Sequence, residues 1–302
     1  WMRPRLFAGL PAADEHSLSL ALGPARERVL REHRDSYVTG DDFRWLAGRG
    51  LNAVRLPFGY WHFAPEEPYV ASPECIDRAI GWAEDFGLGV VLDLHGLPGG
   101  QSAEHHTGRA GHFRWPGDAD CLARSLDVIE LIAERYAGRR GVVAFSVVNE
   151  PDPGIGRARL VDFYFRSCER VRRHMAPEAA AFVLAAYPEG ELSTYHGCLG
   201  DAPSVWTDVH LYQSFGDWER WPLLDYLAYP LRRQPGLRAA AARGPLIVGE
   251  WSLAMGGPAA REIEAMPPWR RDLLMRMHGN MQLALHEEFT GWFFWSYRVD
   301  NR

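Results

Sequence analysis

The sequence contains no lysine, because all 33 of its basic side chains belong to arginine. This absence excludes Schiff-base chemistry on a lysine amine and any phosphate-binding loop that needs a lysine. With 39 acidic side chains the formal net charge is −6, which argues against nucleic acid or an anionic membrane as a partner. The 302 residues suffice for one large α/β core, and we expect a single catalytic domain over residues 1–302.

Cysteine is scarce, and long apolar stretches are missing. The 4 cysteines form no C-x-x-C pair, so a zinc cluster of thiolates is not predicted. No apolar run reaches the roughly 18 to 20 residues of a membrane span, and we expect no contact with a membrane. The sequence starts at Trp1 and not at methionine. Removal of a leader would make the protein secreted, and otherwise it would be cytoplasmic. We expect a monomer.

What is present is a regular alternation of apolar strand patterns and helical patterns. This alternation indicates a parallel sheet built from βα units. The predicted strands are residues 51–58, 88–95, 142–149, 180–186, 204–212, 245–251 and 291–297. A closed (β/α)8 barrel, or TIM barrel, needs eight strands. We therefore predict an α/β fold of the (β/α)8 barrel class, with the first strand and the last helix missing from this chain.

Polar side chains stand at or near the C-terminal ends of these strands, where barrel enzymes place their chemistry. They are Arg55, His95, Asn149, Glu150, His210, Tyr212, Glu250 and Trp295. Hydrolysis of a glycoside needs two carboxyl groups, one to protonate the leaving oxygen and one to attack or to activate water. Glu150 and Glu250 follow equivalent apolar strands and fit this requirement. Arg55 and His210 can keep one carboxyl ionised, while burial keeps the other protonated.

Simpler interpretations compete with catalysis. A single glutamate after a strand is more often a surface or helix-capping residue, but two that each close an apolar strand favour chemistry. A tryptophan within a strand usually belongs to the core, which we expect for Trp206 and Trp292. Five histidines could supply ligands to a metal: His95, His105, His106, His112 and His210. Because the spacings H-x-H and H-E-x-x-H are absent, we predict neither a metal site nor a cofactor.

Several motifs together resemble glycoside hydrolase family 5. They are V-R-L-P-F at 54–58, N-E-P at 149–151, G-E-W at 249–251 and F-W-S-Y at 294–297. Three longer blocks are most similar to the exo-β-1,3-glucanase group of that family. These are V-R-L-P-F-G-Y-W at 54–61, D-L-H-G-L-P-G-G-Q at 93–101 and H-L-Y-Q-S-F at 210–215. The resemblance extends over almost the whole chain.

The resemblance implies a retaining β-glycoside hydrolase that cleaves β-glucan or β-glucosides by double displacement. Glu150 would be the acid/base and Glu250 the nucleophile, with their carboxyl groups about 5 to 5.5 Å apart. Tyr212 would hydrogen-bond the nucleophile. Arg55, His95, Asn149, His210, Tyr212 and Trp295 would surround the sugar, and Phe215 would form half of an aromatic entrance clamp.

Two departures from the family pattern keep alternatives open. Glu104 and His105 occupy the places of a phenylalanine and an aspartate in the glucanase loop. The first strand of the family, which carries a sugar-binding glutamate, would precede Trp1. The alternatives are another family 5 specificity (β-1,4-glucan, β-mannan or a glycosylated small molecule), a non-catalytic carbohydrate-binding barrel, and a metal-dependent barrel hydrolase.

Overall fold

A computed structural model describes residues 2–188, 192–215 and 221–298 of the chain. The chain forms two compact units. The first unit consists of Trp1–Ala185, Cys198–Val205 and Arg298–Arg302, and the second consists of Ala186–Gly197 and Trp206–Tyr297. The assignment of the whole chain to one catalytic domain stays a prediction.

The first unit contains strands and helices that alternate after three N-terminal helices. They are α1 (Glu15–Leu22), α2 (Arg26–Ser36), α3 (Gly40–Ala47), β1 (Ala53–Gly59), α4 (Pro73–Asp85), β2 (Gly89–Gly96), α5 (Ala119–Tyr136), β3 (Val142–Ser146), α6 (Arg157–Arg172) and β4 (Ala181–Ala185). The four strands pair in parallel in chain order. Their C-terminal ends therefore lie along the same edge of this sheet.

Local sequence explains where these helices begin. Asp14 accepts a hydrogen bond of 2.7 Å from the backbone N–H of Ser17 and caps α1. Thr39 precedes α3, as predicted, and its backbone N–H donates to the Asp42 carboxylate at 2.7 Å. Asp118 accepts from two backbone N–H groups of the first turn of α5. Each carboxylate satisfies N–H groups that have no partner within the helix, and its charge also suits the helix N-terminus.

The third strand is shorter than the apolar pattern predicts. We predicted a strand over 142–149, but β3 ends at Ser146. Val147 and Val148 are fully buried without belonging to the strand, so their apolar side chains report burial and not strand pairing. Glu150 then has a φ of 39°, in the left-handed region that an extended strand cannot contain. The turn of the backbone at this residue excludes a strand that continues through it.

The second unit contains the remaining described elements. They are α7 (Leu192–Tyr195), β5 (Val205–Leu211), α8 (Leu223–Ala241), β6 (Leu246–Trp251), α9 (Gly257–Glu264), α10 (Pro268–His286) and β7 (Gly291–Phe294). Strand β5 starts at the last residue of a first-unit segment, and β5, β6 and β7 pair in parallel. The short helices α7 and α9 were not predicted. The last strand ends at Phe294 and not at residue 297, so Trp295 follows the strand.

The two tryptophans that we expected in the core are partly exposed. Trp206 lies near the start of β5 and Trp292 near the start of β7. The indole N–H of Trp292 donates to the Glu287 carboxylate at 2.9 Å, a partner at the surface. An indole combines an apolar body with one hydrogen-bond donor, and such side chains often keep one end near water. The core assignment was therefore wrong for both residues.

Helix α10 places two fully buried histidines in the second unit. His278 is 0% and His286 1% exposed. The His286 ring packs edge-on against the Trp251 indole at 4.9 Å between centroids. Burial lowers the pKa of each histidine from 6.5 to about 4, because the charged imidazolium would lose its hydration. Both rings are therefore neutral near pH 7.

The described residues contain seven parallel strands that alternate with helices, as the sequence predicted. This is the order of a (β/α)8 barrel in which one unit is missing. Within the described ranges, no helix combines the length and the apolar character that crossing a bilayer requires.

Candidate active site

A buried polar network joins the first two strands. A guanidinium nitrogen of Arg55 (Nη2) lies 3.1 Å from Asp93 Oδ2, and the two side chains are 3% and 0% exposed. His95 Nδ1 lies 2.6 Å from the same oxygen. Because a carboxylate accepts, His95 donates from Nδ1 and presents Nε2 as an acceptor. Asp93 thus fixes the orientation of both neighbouring side chains.

Asn149 extends this network toward the strand end that precedes Glu150. Its Oδ1 accepts a hydrogen bond of 2.8 Å from Arg55 Nη2. A guanidinium only donates, so this contact determines which end of the amide is oxygen. The amide nitrogen Nδ2 then faces His95 Nε2 at 3.3 Å and His106 Nδ1 at 3.5 Å. Asn149 is 1% exposed and connects the two histidines.

Gln101 holds the backbone beneath this network, a role that the sequence did not reveal. It is fully buried, and its Nε2 donates to the backbone oxygens of His95 at 2.8 Å and Asn149 at 2.9 Å. Its Oε1 accepts from the backbone N–H of Leu97 at 3.0 Å. One amide therefore ties together the segments after β2 and β3. The only signal was its place at the end of the D-L-H-G-L-P-G-G-Q block.

Glu150 follows Asn149 in a strained backbone conformation. Its φ of 39° costs a non-glycine residue roughly 1 to 3 kcal/mol. The carboxylate is 17% exposed, and its Oε2 lies 3.7 Å from Nε2 of His106, which is 15% exposed. The first unit thus brings four predicted site residues into one cluster: Arg55, His95, Asn149 and Glu150.

In the second unit, Glu250 occupies a buried position within β6. It is 4% exposed, and the hydroxyl of Tyr212 donates to its Oε2 at 2.7 Å. The expected hydrogen bond between these two residues is therefore present. The register of β5 and β6 sets His210 opposite Glu250, and His210 Nδ1 lies 3.6 Å from the same oxygen. Two side chains of one neighbouring segment orient this carboxylate.

Asp208 is a further buried residue of this cluster, and it explains the glycine of the G-E-W motif. Its carboxylate accepts the backbone N–H of Gly249 at 2.7 Å. A Cβ at position 249 would lie 2.2 Å from both oxygens of Asp208, so only glycine fits there. His210 Nε2 lies 3.6 Å from Asp208 Oδ2. Alternation along β5 puts Asp208 and His210 on one face, a signal in the sequence that we did not use.

Two aromatic residues predicted to bind substrate lie in the second unit. Phe215 is 69% exposed, and its ring meets the Tyr212 ring edge-on at 5.4 Å between centroids. The backbone N–H of Trp295 donates to the Trp251 carbonyl at 2.8 Å, and Trp295 is partly exposed. The second unit therefore brings together His210, Tyr212 and Glu250, with Phe215 against Tyr212.

The five histidines considered as metal ligands have different surroundings. His95 and His106 both face the Asn149 amide in the first unit. His210 lies beside Glu250 in the second. In the loop after β2, His105 is exposed and His112 is partly buried. Burial and the nearby Arg109 lower the pKa of His112.

Comparison with known proteins gives a match to a family. The model of the cellulase family (glycosyl hydrolase family 5) matches residues 30–191. The chain is similar to a probable glucan 1,3-β-glucosidase A of Aspergillus clavatus, with 36% identity over 273 residues. That match covers 84% of this chain and 62% of the relative, so the chain spans less than two thirds of the relative's length. A probable glucan 1,3-β-glucosidase A of Neosartorya fischeri is 32% identical over 342 residues, covering 99% of this chain and 80% of that protein.

Solved structures share the fold at lower identity. The crystal structure of rutinosidase from Aspergillus niger has a TM-score of 0.76 and 17% identity, covering 99% of this chain and 86% of that one. Endo-glycoceramidase II from a Rhodococcus species has a TM-score of 0.57 and 18% identity, covering 86% and 68%. These likenesses concern the fold. The family model and the relatives show that the chain belongs to glycosyl hydrolase family 5.

Proposed function

We propose that the chain is a retaining β-glycosidase that hydrolyses β-glucan or related β-glucosides. The observation that carries this proposal is the contrast between two glutamates, each surrounded by polar side chains. Glu250 is buried and hydrogen-bonded by Tyr212, whereas Glu150 is partly exposed beside a histidine. A retaining mechanism needs one carboxylate that attacks from a fixed position and another that exchanges protons. Membership of the family supports the same division.

In the first step, Glu250 is the nucleophile. One of its carboxylate oxygens attacks the anomeric carbon, while Glu150 gives its proton to the glycosidic oxygen. The bond between that carbon and the leaving oxygen breaks, and a glycosyl ester of Glu250 forms. Tyr212 and His210 both approach Oε2 of Glu250, so they hold the plane of the carboxylate for the attack. A positioned nucleophile avoids part of the entropy cost of the reaction.

In the second step, Glu150 is the base. A water molecule attacks the anomeric carbon of the ester, Glu150 removes its proton, and the bond to Glu250 breaks. Two inversions at the same carbon give a product with the original β configuration. Glu150 is protonated again and ready for the next cycle. Its 17% exposed carboxylate has access to solvent, which suits a group that gains and loses a proton in each turnover.

The remaining predicted residues bind the sugar in this proposal. Arg55 and His95 orient Asn149, whose amide is suited to a sugar hydroxyl next to the reacting carbon. Trp295 would stack on the sugar face. Phe215, exposed beside Tyr212, would contact the sugar on the leaving-group side.

We propose β-1,3-linked glucan as the first substrate class to test. The names of the two fungal relatives, both probable glucan 1,3-β-glucosidases, support this linkage. Removal of single glucose units from a chain end fits the same names. Glu104 and His105 are exposed where the glucanase group carries a phenylalanine and an aspartate. We therefore expect this chain to accept other leaving groups than the exo-β-1,3-glucanases do.

The test is hydrolysis of laminari-oligosaccharides, cello-oligosaccharides and an aryl β-glucoside, with the product followed by proton NMR. We expect β-glucose as the first product, before mutarotation, and faster turnover of the laminari series. Release of α-glucose first would overturn the retaining mechanism. Faster turnover of the cello series would overturn the linkage. Binding without turnover of any substrate would favour a non-catalytic carbohydrate-binding protein.

A further inference from the structure

His106 is the histidine closest to the Glu150 carboxylate among the described contacts, yet the motifs assign it no role. It belongs to a short 3₁₀ turn, His105–Thr107, in the loop after β2. Its Nε2 lies 3.7 Å from Glu150 Oε2. The ring also meets the His95 ring edge-on at 5.4 Å between centroids. The loop therefore delivers an imidazole directly to the proposed acid/base.

The surrounding network determines which ring nitrogen of His106 carries the hydrogen. The Asn149 amide nitrogen only donates, and it faces His106 Nδ1 at 3.5 Å. Nδ1 is therefore the acceptor, and in the neutral ring the hydrogen is on Nε2. That N–H donates to the Ser102 hydroxyl, whose oxygen lies 3.2 Å from Nε2, and Oε2 of Glu150 lies 3.7 Å from the same nitrogen. Ser102 is buried and anchors the ring from the loop side.

We propose that His106 is a positioning residue for Glu150, and this inference rests on the proposed function. The chain of contacts runs from Arg55 through the Asn149 amide and the His106 ring to the carboxylate. A distance of 3.7 Å is longer than a hydrogen bond. Hydrogen bonds to catalytic groups often shorten when substrate binds. His106 then donates from Nε2 to one oxygen of Glu150, which directs the other oxygen at the glycosidic bond.

The charged and titratable side chains around His106 determine which of them its ring can contact. Two titratable groups lie next to its ring, Glu150 and His95. Behind His95 lies the Asp93 carboxylate, with Arg55 beside it. Both of these charges are buried and paired with each other. The carboxylate that lies next to His106 Nε2 is therefore that of Glu150.

The test compares His106→Ala and His106→Gln with the parent chain on aryl β-glucosides of graded leaving-group ability. A good leaving group departs without a proton, whereas a poor one needs a well-placed acid. For His106→Ala we expect kcat/KM to fall by about tenfold for the poorest leaving group, the equivalent of one lost hydrogen bond. For the best leaving group we expect little change. Glutamine offers a donor and an acceptor, so His106→Gln should recover much of the loss.

A matched control is the pair of His174 and Glu130, also in the first unit. His174 Nε2 lies 3.5 Å from Glu130 Oε1, and its side chain is 25% exposed. His174→Ala removes a comparable histidine–glutamate contact away from the cluster. We expect it to leave the dependence on the leaving group unchanged. A loss in His106→Ala that is equal for all leaving groups would overturn the positioning role.

Two further measurements separate this inference from the proposed function. In Glu150→Ala, the loss of kcat/KM must itself grow as the leaving group becomes poorer. If it does not, the role of Glu150 fails. If it does and His106→Ala behaves like the parent chain, only the role of His106 fails. Crystal structures of the parent and His106→Ala decide the matter even without turnover: a displaced Glu150 carboxylate supports the inference, and an unchanged one overturns it.

Discussion

The two glutamates differ in the backbone that carries them. Glu250 is a residue of β6, a strand in which all six positions are buried. Glu150 stands four residues beyond the end of β3, at a positive φ. A strand holds its side chain through hydrogen bonds on both sides, whereas a turn can direct a side chain out of the sheet. The comparison shows how one sheet architecture provides both a fixed carboxylate and an accessible one.

The side chains next to the two carboxylates also differ, with a closer partner at Glu250 than at Glu150. Glu250 receives a hydroxyl at 2.7 Å, within the range of a strong hydrogen bond. Glu150 has an imidazole nitrogen at 3.7 Å, and its carboxylate is 17% exposed to solvent, with which it can exchange a proton. A nucleophile benefits from a single orientation, and an acid/base must meet two different oxygens in the two steps. The following predictions test whether this contrast is functional.

The largest effect should come from Glu250→Ala. Removing the attacking oxygen should lower kcat by about 10⁴-fold or more for every aryl β-glucoside, as removal of a central catalytic group does elsewhere. Sugar binding, measured by calorimetry, should persist. Added azide should restore turnover and give an α-glycosyl azide, because it would attack once from the face that Glu250 occupied. A β-glycosyl azide would contradict the assignment.

Glu150→Ala should give a large effect that depends on the substrate. Loss of a general acid should lower kcat/KM by about 10² to 10⁴-fold for a poor leaving group and much less for a good one. Azide should here yield a β-glycosyl azide, because it replaces water at the glycosyl ester. NMR of the two azide products thus distinguishes the two glutamates. Identical products from both variants would remove the functional contrast.

Tyr212→Phe tests whether the hydrogen bond holds the buried carboxylate. The lost bond to a charged group corresponds to about 1.5 to 3 kcal/mol, or roughly 10 to 100-fold in kcat. We expect this loss to be the same for good and poor leaving groups, unlike that of Glu150→Ala. Tyr229→Phe is a matched control, because that hydroxyl contacts Arg233 in α8. The measurement is steady-state kinetics on the series of aryl β-glucosides. If the loss in Tyr212→Phe grows as the leaving group becomes poorer, the tyrosine supports the acid/base and not the nucleophile.

The smallest effect concerns stability and compares the buried histidines of α10 with a partly exposed one. The folded-state pKa of His286 is about 4, below the ordinary 6.5, so the unfolded chain binds more protons between these values. Stability is complete above about pH 6.5 and falls as the pH drops toward 4. His286→Phe keeps a ring against Trp251 and should reduce the loss between pH 7 and pH 5 by about 2 kcal/mol.

Urea unfolding at the two pH values checks this prediction. His174→Gln is the matched substitution at a more exposed histidine outside α10. An unchanged pH dependence in His286→Phe would mean that this imidazole is not held neutral by burial. His278, buried in the same helix, should then be examined as the main source of acid sensitivity.

The sequence predicted the parts of this protein that depend on repeated patterns. Apolar runs located all the described strands. The glutamates that end two such runs, Glu150 and Glu250, stay a prediction for the catalytic pair. The end of β3 was misplaced because Val147 and Val148 are as apolar as strand residues while pairing with none. Apolar character reports burial, and burial continues past the last hydrogen bond of a strand. Trp206 and Trp292 were misplaced for a different reason, because an indole carries a hydrogen-bond donor and both side chains stay partly exposed.

The residues that sequence reasoning missed act through contacts between separate segments. Gln101 bonds the backbone of Asn149, 48 positions later, and Asp208 packs against a glycine 41 positions later. Neither contact can be recognised from the separation of the two residues along the chain. His106 was visible only as one of several histidines, and its neighbour His105 looks equivalent in the sequence. The turn at 105–107 leaves His105 exposed and brings His106 to Glu150.

The sequence by itself determined the fold class and the family, and it proposed the two carboxyl groups, because hydrophobic periodicity and short motifs are local properties of the chain. Only the tertiary structure decided the surroundings of each carboxyl group. The hydroxyl at Glu250, the imidazole at Glu150 and the orientation of the Asn149 amide depend on strand register and on one loop turn. Hydrogen bonds need distances within a few tenths of an ångström, and such distances arise only when distant segments pack together.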